Sequence, residues 1–418
     1  MKITIERPIL KGVITLPVSK SLYQRHALLR SIHQLPIPDL PVQSIEDIQV
    51  LMDVLRKPEK EIWDCKDSGT GARFLLIYSV LQSRPIVLTG SPRLQERPMM
   101  PLIQSLRSLG ADISCVQKEG YLPLKVNPKP LEGGEVYVDA SQSSQFISAL
   151  MILGSRLPSG LLIELTNSSA SQSYIEMTAS ILSHYGIEVD MPEELGEGSV
   201  IRVKSGKAED SGPLEIEGDW SAASFWYEAA ALSEEADILL TNLNPFSLQG
   251  DSILPDIFDV LGIQTEFTDE GVRLKKGGLP ETDVLELDLS STPDLFPPLA
   301  AVAAGMGLKS EFSGISHLQF KESNRIEAMR EELDKIGVVL HKEGDIVLFE
   351  KSHNKKQTER LIEFSSHGDH RIVMALAPLA LKFGQVWING HTHVQKSYPS
   401  FWLDFRNTAK YSFLEEEA

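Results

Sequence analysis

Four groups of residues in this chain have types and spacings suited to chemistry on a polyanion. Lys20, Ser21 and Arg25 stand where the apolar run ending at Leu16 passes through Pro17, Val18 and Ser19 into an apolar helix. The first N–H groups of a helix have no intrahelical partner and its dipole is positive there. Two cations and several hydroxyls, Tyr23 included, therefore make that start an anion site. Gly69, Thr70 and Arg73, with Arg97 further on, form a second set, and Ser143, Ser144 and Gln145, followed by Ser171 and Tyr174, a third. The fourth mixes signs: Asp294 and Glu322 lie among Lys321, Arg325, Arg371 and Lys396. Carboxylates embedded among cations suit general acid and base work better than charge balance, the alternative for Asp294 being a helix N-cap.

The elements that must position these residues repeat. A polar turn followed by a strongly apolar helix recurs at Ser19–Arg25, Asp67–Arg73, Asp139–Gln145, Gly218–Ser221, Asp288–Asp294 and Ser365–Arg371. Most are followed by a second, amphipathic helix that stops at a glycine and passes into an apolar strand, at Gly110, Gly186, Gly262 and Gly337. Glycine just past a helix is its usual left-handed cap. Six units with strands and two helices each predict an internally repeated α/β architecture, three units to a lobe. Runs such as Phe146–Leu153, apolar all round, read as helices buried within a lobe. Glu327–Ile336, charged on one face only, reads as an outer helix.

Composition narrows the function. A chain of 418 residues is too long for one core. With a formal net charge of −18 it is no general partner for nucleic acid or an anionic membrane, which makes its cation clusters more informative. No apolar run is long enough to span a bilayer, the start lacks the apolar core of a signal peptide, and Cys65 and Cys115 have no metal-ligand spacing; a cytoplasmic monomer is expected. Asp67-Ser68-Gly69-Thr70-Gly71 looks like an aspartic-protease loop but leads into a helix, and no Gly-Lys-Ser/Thr follows to make a P-loop. His367, His370, His391 and His393 lack a carboxylate or cysteine to complete a recognisable metal set, so they read as structural or substrate-facing and no metal or cofactor is expected. The acidic residues Glu415, Glu416 and Glu417 are expected to fray.

In order and spacing, these residues resemble the 5-enolpyruvylshikimate-3-phosphate synthase family of enolpyruvyl transferases across nearly the whole chain. The resemblance rests on Leu16-Pro17 with Ser19-Lys20-Ser21 and Arg25; Ser68-Gly69-Thr70 with Arg73; Pro92-Arg93 with Glu96-Arg97-Pro98; and Ser143-Ser144-Gln145-Phe146. Ser171 with Tyr174-Ile175, Asp294, Lys321-Glu322 with Arg325, Asp369-His370-Arg371, and Lys396 before Pro399 complete it. The chain departs from the family pattern at Val18 (glycine is common), Gln24 and Asp67 (asparagine), His317 (often asparagine) and Asn324 (aspartate).

The resemblance implies a two-lobed, inside-out α/β barrel of six βαβαββ repeats with buried parallel helices, the lobes being residues 19–218 and residues 1–18 with 219–418. It implies transfer of the enolpyruvyl group of phosphoenolpyruvate to the 5-hydroxyl of shikimate 3-phosphate, through addition and elimination, with glyphosate as a competitor of phosphoenolpyruvate. Lys20, Asp294 and Glu322 would be catalytic. Lys20, Ser21, Arg25, Ser143, Ser144, Gln145, Ser171, Asp294, His317 and Lys321 would hold shikimate 3-phosphate, and Lys20, Gly69, Arg97, Gln145, Arg325, Arg371 and Lys396 phosphoenolpyruvate. The alternatives are the sister family acting on UDP-N-acetylglucosamine, which usually has a cysteine near the position of Arg97 and an asparagine after the first lysine, and a non-catalytic phosphometabolite-binding protein.

Overall fold

The computed structural model describes residues 1–41, 45–168, 171–210, 212, 214–352, 361–409 and 412–414. Backbone contacts divide the chain into two compact units, residues 20–216 and residues 1–19 with 217–418. The expected fraying at Glu415, Glu416 and Glu417 falls outside the described residues.

The helices of unit 20–216 are α1 (Lys20–Ile32), α2 (Glu46–Arg56), α3 (Gly69–Ser79), α4 (Pro92–Gln95), α5 (Met100–Ser108), α6 (Ser144–Gly154) and α7 (Gln172–His184). Those of the other unit are α8 (Trp220–Leu232), α9 (Leu254–Asp259), α10 (Phe296–Met306), α11 (Arg325–Asp334), α12 (His370–Leu376), α13 (Ala380–Phe383) and α14 (Phe401–Ala409).

One topological unit is repeated. In the sheet of Ile62–Asp64, Ile86–Thr89, Leu124–Asn127 and Asp112–Cys115, the first pair is parallel and the other two antiparallel. The other four-stranded sheets show the same parallel, antiparallel, antiparallel order. Four of the parallel pairs are bridged by one of the buried helices α3, α6, α10 or α12, the βαβ crossover that a parallel pair requires, whereas between Ile9–Thr15 and Glu235–Thr241 the chain passes through unit 20–216 before α8. Strands such as Leu161–Leu165 alternate buried and half-buried residues, presenting one face to that helix. Residues 1–15 give strands to two sheets: Lys2–Thr4 pairs with Gln385–Asn389, and Ile9–Thr15 runs parallel to Glu235–Thr241.

Five such sheets are present among the described residues. The unit opening at Lys20 contributes helices α1 and α2, but residues 33–41 between them form no strand. Pro36, Pro38 and Pro41 there remove the backbone donors that a ladder needs. The four glycines that end outer helices, Gly110, Gly186, Gly262 and Gly337, all have positive φ, as the left-handed cap demands.

Side chains fix the direction of the buried helices. At the starts of α3 and α6, Gln145 Nε2 donates to Thr70 Oγ1 over 2.8 Å. At the far ends, Ser31 of α1 meets Tyr78 of α3 at 3.3 Å, and His33, just past α1, meets Ser155, just past α6, at 2.9 Å. Helices α1, α3 and α6 are therefore parallel, with three positive dipole ends on one side of their unit. In the other unit Asp294, ahead of α10, is bonded to Arg371 of α12, while a methyl on Gly305 near the end of α10 would meet Leu232 at the end of α8. Those helices also start together.

Helix α8 is buried along its whole length and carries Glu228, whose carboxyl oxygens have no hydrogen-bond partner among the described residues. Burial pushes this carboxyl well above the usual carboxylate range, so the folded protein holds it as the neutral acid. The folded state thus binds a proton that the unfolded chain releases above about pH 4.3, and the group's stabilising contribution is lost as pH rises from there. Glu228→Gln keeps the shape without the titration. Urea unfolding should show its stability gaining on wild type as pH rises from 5 to 8; parallel curves would show that Glu228 does not titrate between the two states.

Candidate active site

In unit 20–216 the sequence-predicted residues gather at the starts of α1, α3 and α6. Pro17 and Ser19 lead the chain into α1, where Lys20 Nζ lies 3.1 Å from Asp47 Oδ2. Asp47 was not expected. Its carboxylate sits in the first turn of α2, where it reads from sequence as a charge favouring the helix dipole. Gln24, a turn after Lys20 and buried, donates to the backbone carbonyl of Asp47 at 2.6 Å. The departure at Gln24 is thus the residue that holds the partner of Lys20.

Arg25 is 1 % exposed. It donates to Thr178 Oγ1 (2.8 Å), the Ser21 carbonyl (2.8 Å), Ser148 Oγ (3.2 Å) and the Tyr174 carbonyl (3.4 Å), and its guanidinium lies 5.6 Å from the ring centres of both Phe74 and Tyr174. Every one of these acceptors is neutral. Burial consequently lowers its pKa to about 10, the only large opposing influence coming from Tyr174. It remains charged at neutral pH, a buried positive charge that no carboxylate among the described residues balances.

Gly69 begins α3 under the N-cap Ser68, whose Oγ accepts from the Gly71 N–H. A Cβ on Gly69 would overlap the Arg97 guanidinium, 2.7 Å from Cζ and closer still to Nη1. The missing side chain is what lets Arg97 lie against the helix start. Arg73 is a brace instead: it donates to the Gly69 carbonyl at 2.7 Å and stands 5.3 Å from the Phe146 ring centre. Ser143 caps α6 by accepting from the Gln145 N–H, Ser144 is buried beside it, and Ser171, buried with φ of 64°, precedes α7.

In the other unit one guanidinium gathers the fourth group. Arg325, 2 % exposed and the first residue of α11, donates through Nη1 to Asp294 Oδ1 (2.8 Å), through Nη2 to Glu322 Oε2 (3.0 Å) and through Nε to Asp369 Oδ2 (2.8 Å). Arg371 Nη2 donates to Asp294 Oδ2 (2.8 Å) and Lys396 Nζ to Glu322 Oε1 (3.2 Å). Burial works against the charge of Arg325, but Asp369, Glu322 and Asp294 outweigh it and hold its pKa above the ordinary value. Asp294 lies inside the short helical turn Pro293–Leu295 that leads into α10, and the N-cap positions of that turn and of α10 are Thr292 and Leu295. Asp369 caps α12, accepting from the Arg371 N–H at 2.9 Å. Asn324 caps α11, its side chain accepting from the Glu327 N–H.

His317 is buried, and burial first, then Lys321, pushes its pKa down to about 3, so its imidazole is neutral at physiological pH. Asp251, another residue the sequence did not single out, is buried, accepts from Ser221 Oγ, and is raised above the usual carboxylate range by burial and then by the charge of Asp294. The reading that no carboxylate accompanies the histidines needs correction. His367 Nε2 lies 2.7 Å from Glu332 Oε1 and 3.9 Å from Glu331 Oε2, because α11 packs its last turns against the turn before α12. No helix among the described residues is long and apolar enough to cross a membrane.

The chain matches the family model for EPSP synthase (3-phosphoshikimate 1-carboxyvinyltransferase) over residues 28–405. It is 36% identical over 400 residues to the 3-phosphoshikimate 1-carboxyvinyltransferase of Bacteroides fragilis, covering 95% of each chain. With the protein of the same name from Methanoculleus marisnigri it shares 34% over 341 residues, 81% of this chain and 77% of that one. In fold it is similar to the EPSP synthase of Acinetobacter baumannii, with a TM-score of 0.72 over 97% of this chain and 98% of that one at 22% identity.

Removing Arg325 should expose what it holds. Arg325→Met leaves Asp294, Glu322 and Asp369 without their shared cation, and deleting one partner of a buried ion pair costs about 3–5 kcal/mol. Urea unfolding at pH 7 should show a loss of that size, shrinking toward pH 4.5 as the carboxylates take up protons. A loss independent of pH would mean that packing, and not charge, accounts for it.

Proposed function

Since this chain belongs to the EPSP synthase family, we propose that it transfers the enolpyruvyl group of phosphoenolpyruvate to the 5-hydroxyl of shikimate 3-phosphate and releases phosphate. The observation that carries this reading is the pair of part-exposed carboxylates, Asp294 and Glu322, fastened to Arg325 among Arg371 and Lys396. A protein that only bound phosphometabolites would gain nothing by spending its cations on carboxylates. The transferase needs both kinds of group, one to neutralise anions and one to move protons.

In this reading Lys20, Gly69, Arg97, Gln145, Arg325, Arg371 and Lys396 hold phosphoenolpyruvate. Ser21, Arg25, Ser143, Ser144, Ser171, Asp294, His317 and Lys321 hold shikimate 3-phosphate together with Lys20 and Gln145. The uncompensated charge of Arg25 and the three helix starts beside it favour an anionic ligand. A neutral His317 offers a hydrogen bond without adding charge.

The reaction adds the 5-hydroxyl oxygen to C2 of phosphoenolpyruvate while a proton goes to its methylene carbon, giving a tetrahedral ketal phosphate. Loss of phosphate and of one methyl proton then restores the double bond. Asp294 is the acceptor for the hydroxyl proton: it is a part-exposed carboxylate held in place by charged hydrogen bonds from Arg325 and Arg371. Glu322 and Lys20 stand on the donor side. Arg325 and Lys396 both donate to Glu322, and a bound polyanion competes with it for those cations. The two cysteines without metal spacing support a cytoplasmic location. The monomer that the family reading implies goes with this proposal.

The test is phosphate release with phosphoenolpyruvate and either shikimate 3-phosphate or UDP-N-acetylglucosamine. Turnover with the first acceptor alone is expected; turnover with the second alone would transfer the chain to the sister activity. Asp294→Asn and Glu322→Gln should each lower kcat about a hundredfold or more, roughly 2.7 kcal/mol of barrier, with small changes in KM. A near wild-type rate for Asp294→Asn would make it a substrate hydrogen-bonder only.

Gly69→Ala pushes a methyl into Arg97. Its KM for phosphoenolpyruvate should rise about tenfold and glyphosate inhibition should weaken, the KM for shikimate 3-phosphate staying near wild type, since a lost charged hydrogen bond is worth about 1.5–3 kcal/mol. Unchanged kinetics would remove Arg97 from the phosphoenolpyruvate site.

A further inference from the structure

Glu332 touches none of the residues assigned to substrate, yet it is 1 % exposed and its bonds reach the turn that precedes α12. Its Oε2 accepts from the Ser365 N–H (2.9 Å) and Lys335 Nζ (2.6 Å), and its Oε1 meets His367 Nε2 at 2.7 Å. Glu332 follows Arg325 by two helical turns, so both residues lie on one face of α11. That face grips the segment 365–369 at both ends: Arg325 and Ser323 Oγ hold Asp369, and Glu332 holds Ser365 and His367.

The segment between these grips needs holding. His367 and Gly368 have consecutive positive φ values, 49° and 74°, and a non-glycine residue adopts the first only under constraint. The turn is braced further by the Gly368 N–H on Ser366 Oγ and by His393 Nδ1 on the same oxygen. What it sets is the start of α12, where Asp369 caps the helix and Arg371 reaches Asp294.

We propose that Glu332, acting through His367 and Ser365, is a positioning residue that holds this turn so that Arg371 and Asp369 meet Asp294 and Arg325 in register. The inference rests on the proposed transferase reading, and specifically on Arg371 as a phosphoenolpyruvate ligand. Its physical content is a second clamp: the Arg325–Asp369 pair fixes one end of the turn and Glu332 fixes the other.

His367→Gly separates this role from a purely structural one, because glycine accepts the positive φ without strain while losing the bond to Glu332. Expected are a melting temperature close to wild type, a KM for phosphoenolpyruvate raised about fivefold to tenfold, a KM for shikimate 3-phosphate within about twofold, and faster amide exchange confined to residues 365–371. His367→Asn, which tolerates positive φ and can still donate to Glu332, should restore most of the KM. Wild-type exchange and KM in His367→Gly would overturn the proposal, as would a lowered melting temperature with unchanged KM. Glu331→Ala tests a rival reading of the same side chains as a divalent-cation site: unchanged kinetics, with and without added Zn²⁺, are expected, and a defect rescued by Zn²⁺ would replace the clamp with a metal. Inactivity of the wild type toward shikimate 3-phosphate would refute the transferase reading instead, and the exchange experiment would still judge the clamp.

Discussion

Unit 1–19 with 217–418 depends on a single guanidinium. Arg325 is buried, which alone would be costly by several kcal/mol, and it is tolerated because three carboxylates from three places in the chain close around it. Asp294 precedes α10, Glu322 precedes α11 and Asp369 caps α12, so the starts of those elements share one electrostatic centre. The planar fork of arginine is what makes this possible, since an ammonium could not present donors to three carboxylates in fixed directions. Arg371 and Lys396 then take the outward oxygens of Asp294 and Glu322. The result is a set of cations held at fixed places with two carboxylates set between them.

Unit 20–216 solves a different problem with the same helical starts. Arg25 is as deeply buried as Arg325, yet the oxygens around it are hydroxyls and carbonyls. Its charge is therefore one that no carboxylate among the described residues balances. Thr178, Ser148 and Tyr174 orient it, as Gln24 orients Asp47 for Lys20 and Gly69 makes room for Arg97. Positioning by neutral groups keeps the field positive. Positioning by carboxylates fixes the cations and sets negative charge among them.

Local patterns told much of this in advance. The glycines after outer helices, the polar turn before each buried helix, and the cations at those turns are all local signals, and the structure has them where the pattern put them. Pairings across sequence were not visible. Asp47 is 27 residues from Lys20, and in sequence it is one of two acids at the start of a helix, a role that explains it fully without a partner. Glu332 read as one of the charges of an outer helix and Asp251 was not singled out, and only packing shows that both are buried. Among the described residues no strand follows α1 in the unit opening at Lys20, and the repeat did not show this: Pro36, Pro38 and Pro41 remove donors a ladder would need. Gln24 and Asn324, departures from the family pattern, each keep a polar contact suited to their place, Gln24 by its longer reach and Asn324 as a helix cap.

Addition followed by elimination makes a statement about hydrogen that no binding measurement can make. If a proton is delivered to the methylene carbon of phosphoenolpyruvate and one of three equivalent methyl hydrogens is later removed, solvent hydrogen must enter the vinyl group. Turnover of phosphoenolpyruvate and shikimate 3-phosphate by this protein in deuterium oxide, followed by proton magnetic resonance of the product, measures that directly. The account predicts deuterium in the product methylene. A full turnover yielding product with no deuterium there would contradict a tetrahedral intermediate, and with it the acid and base roles given to Glu322, Lys20 and Asp294.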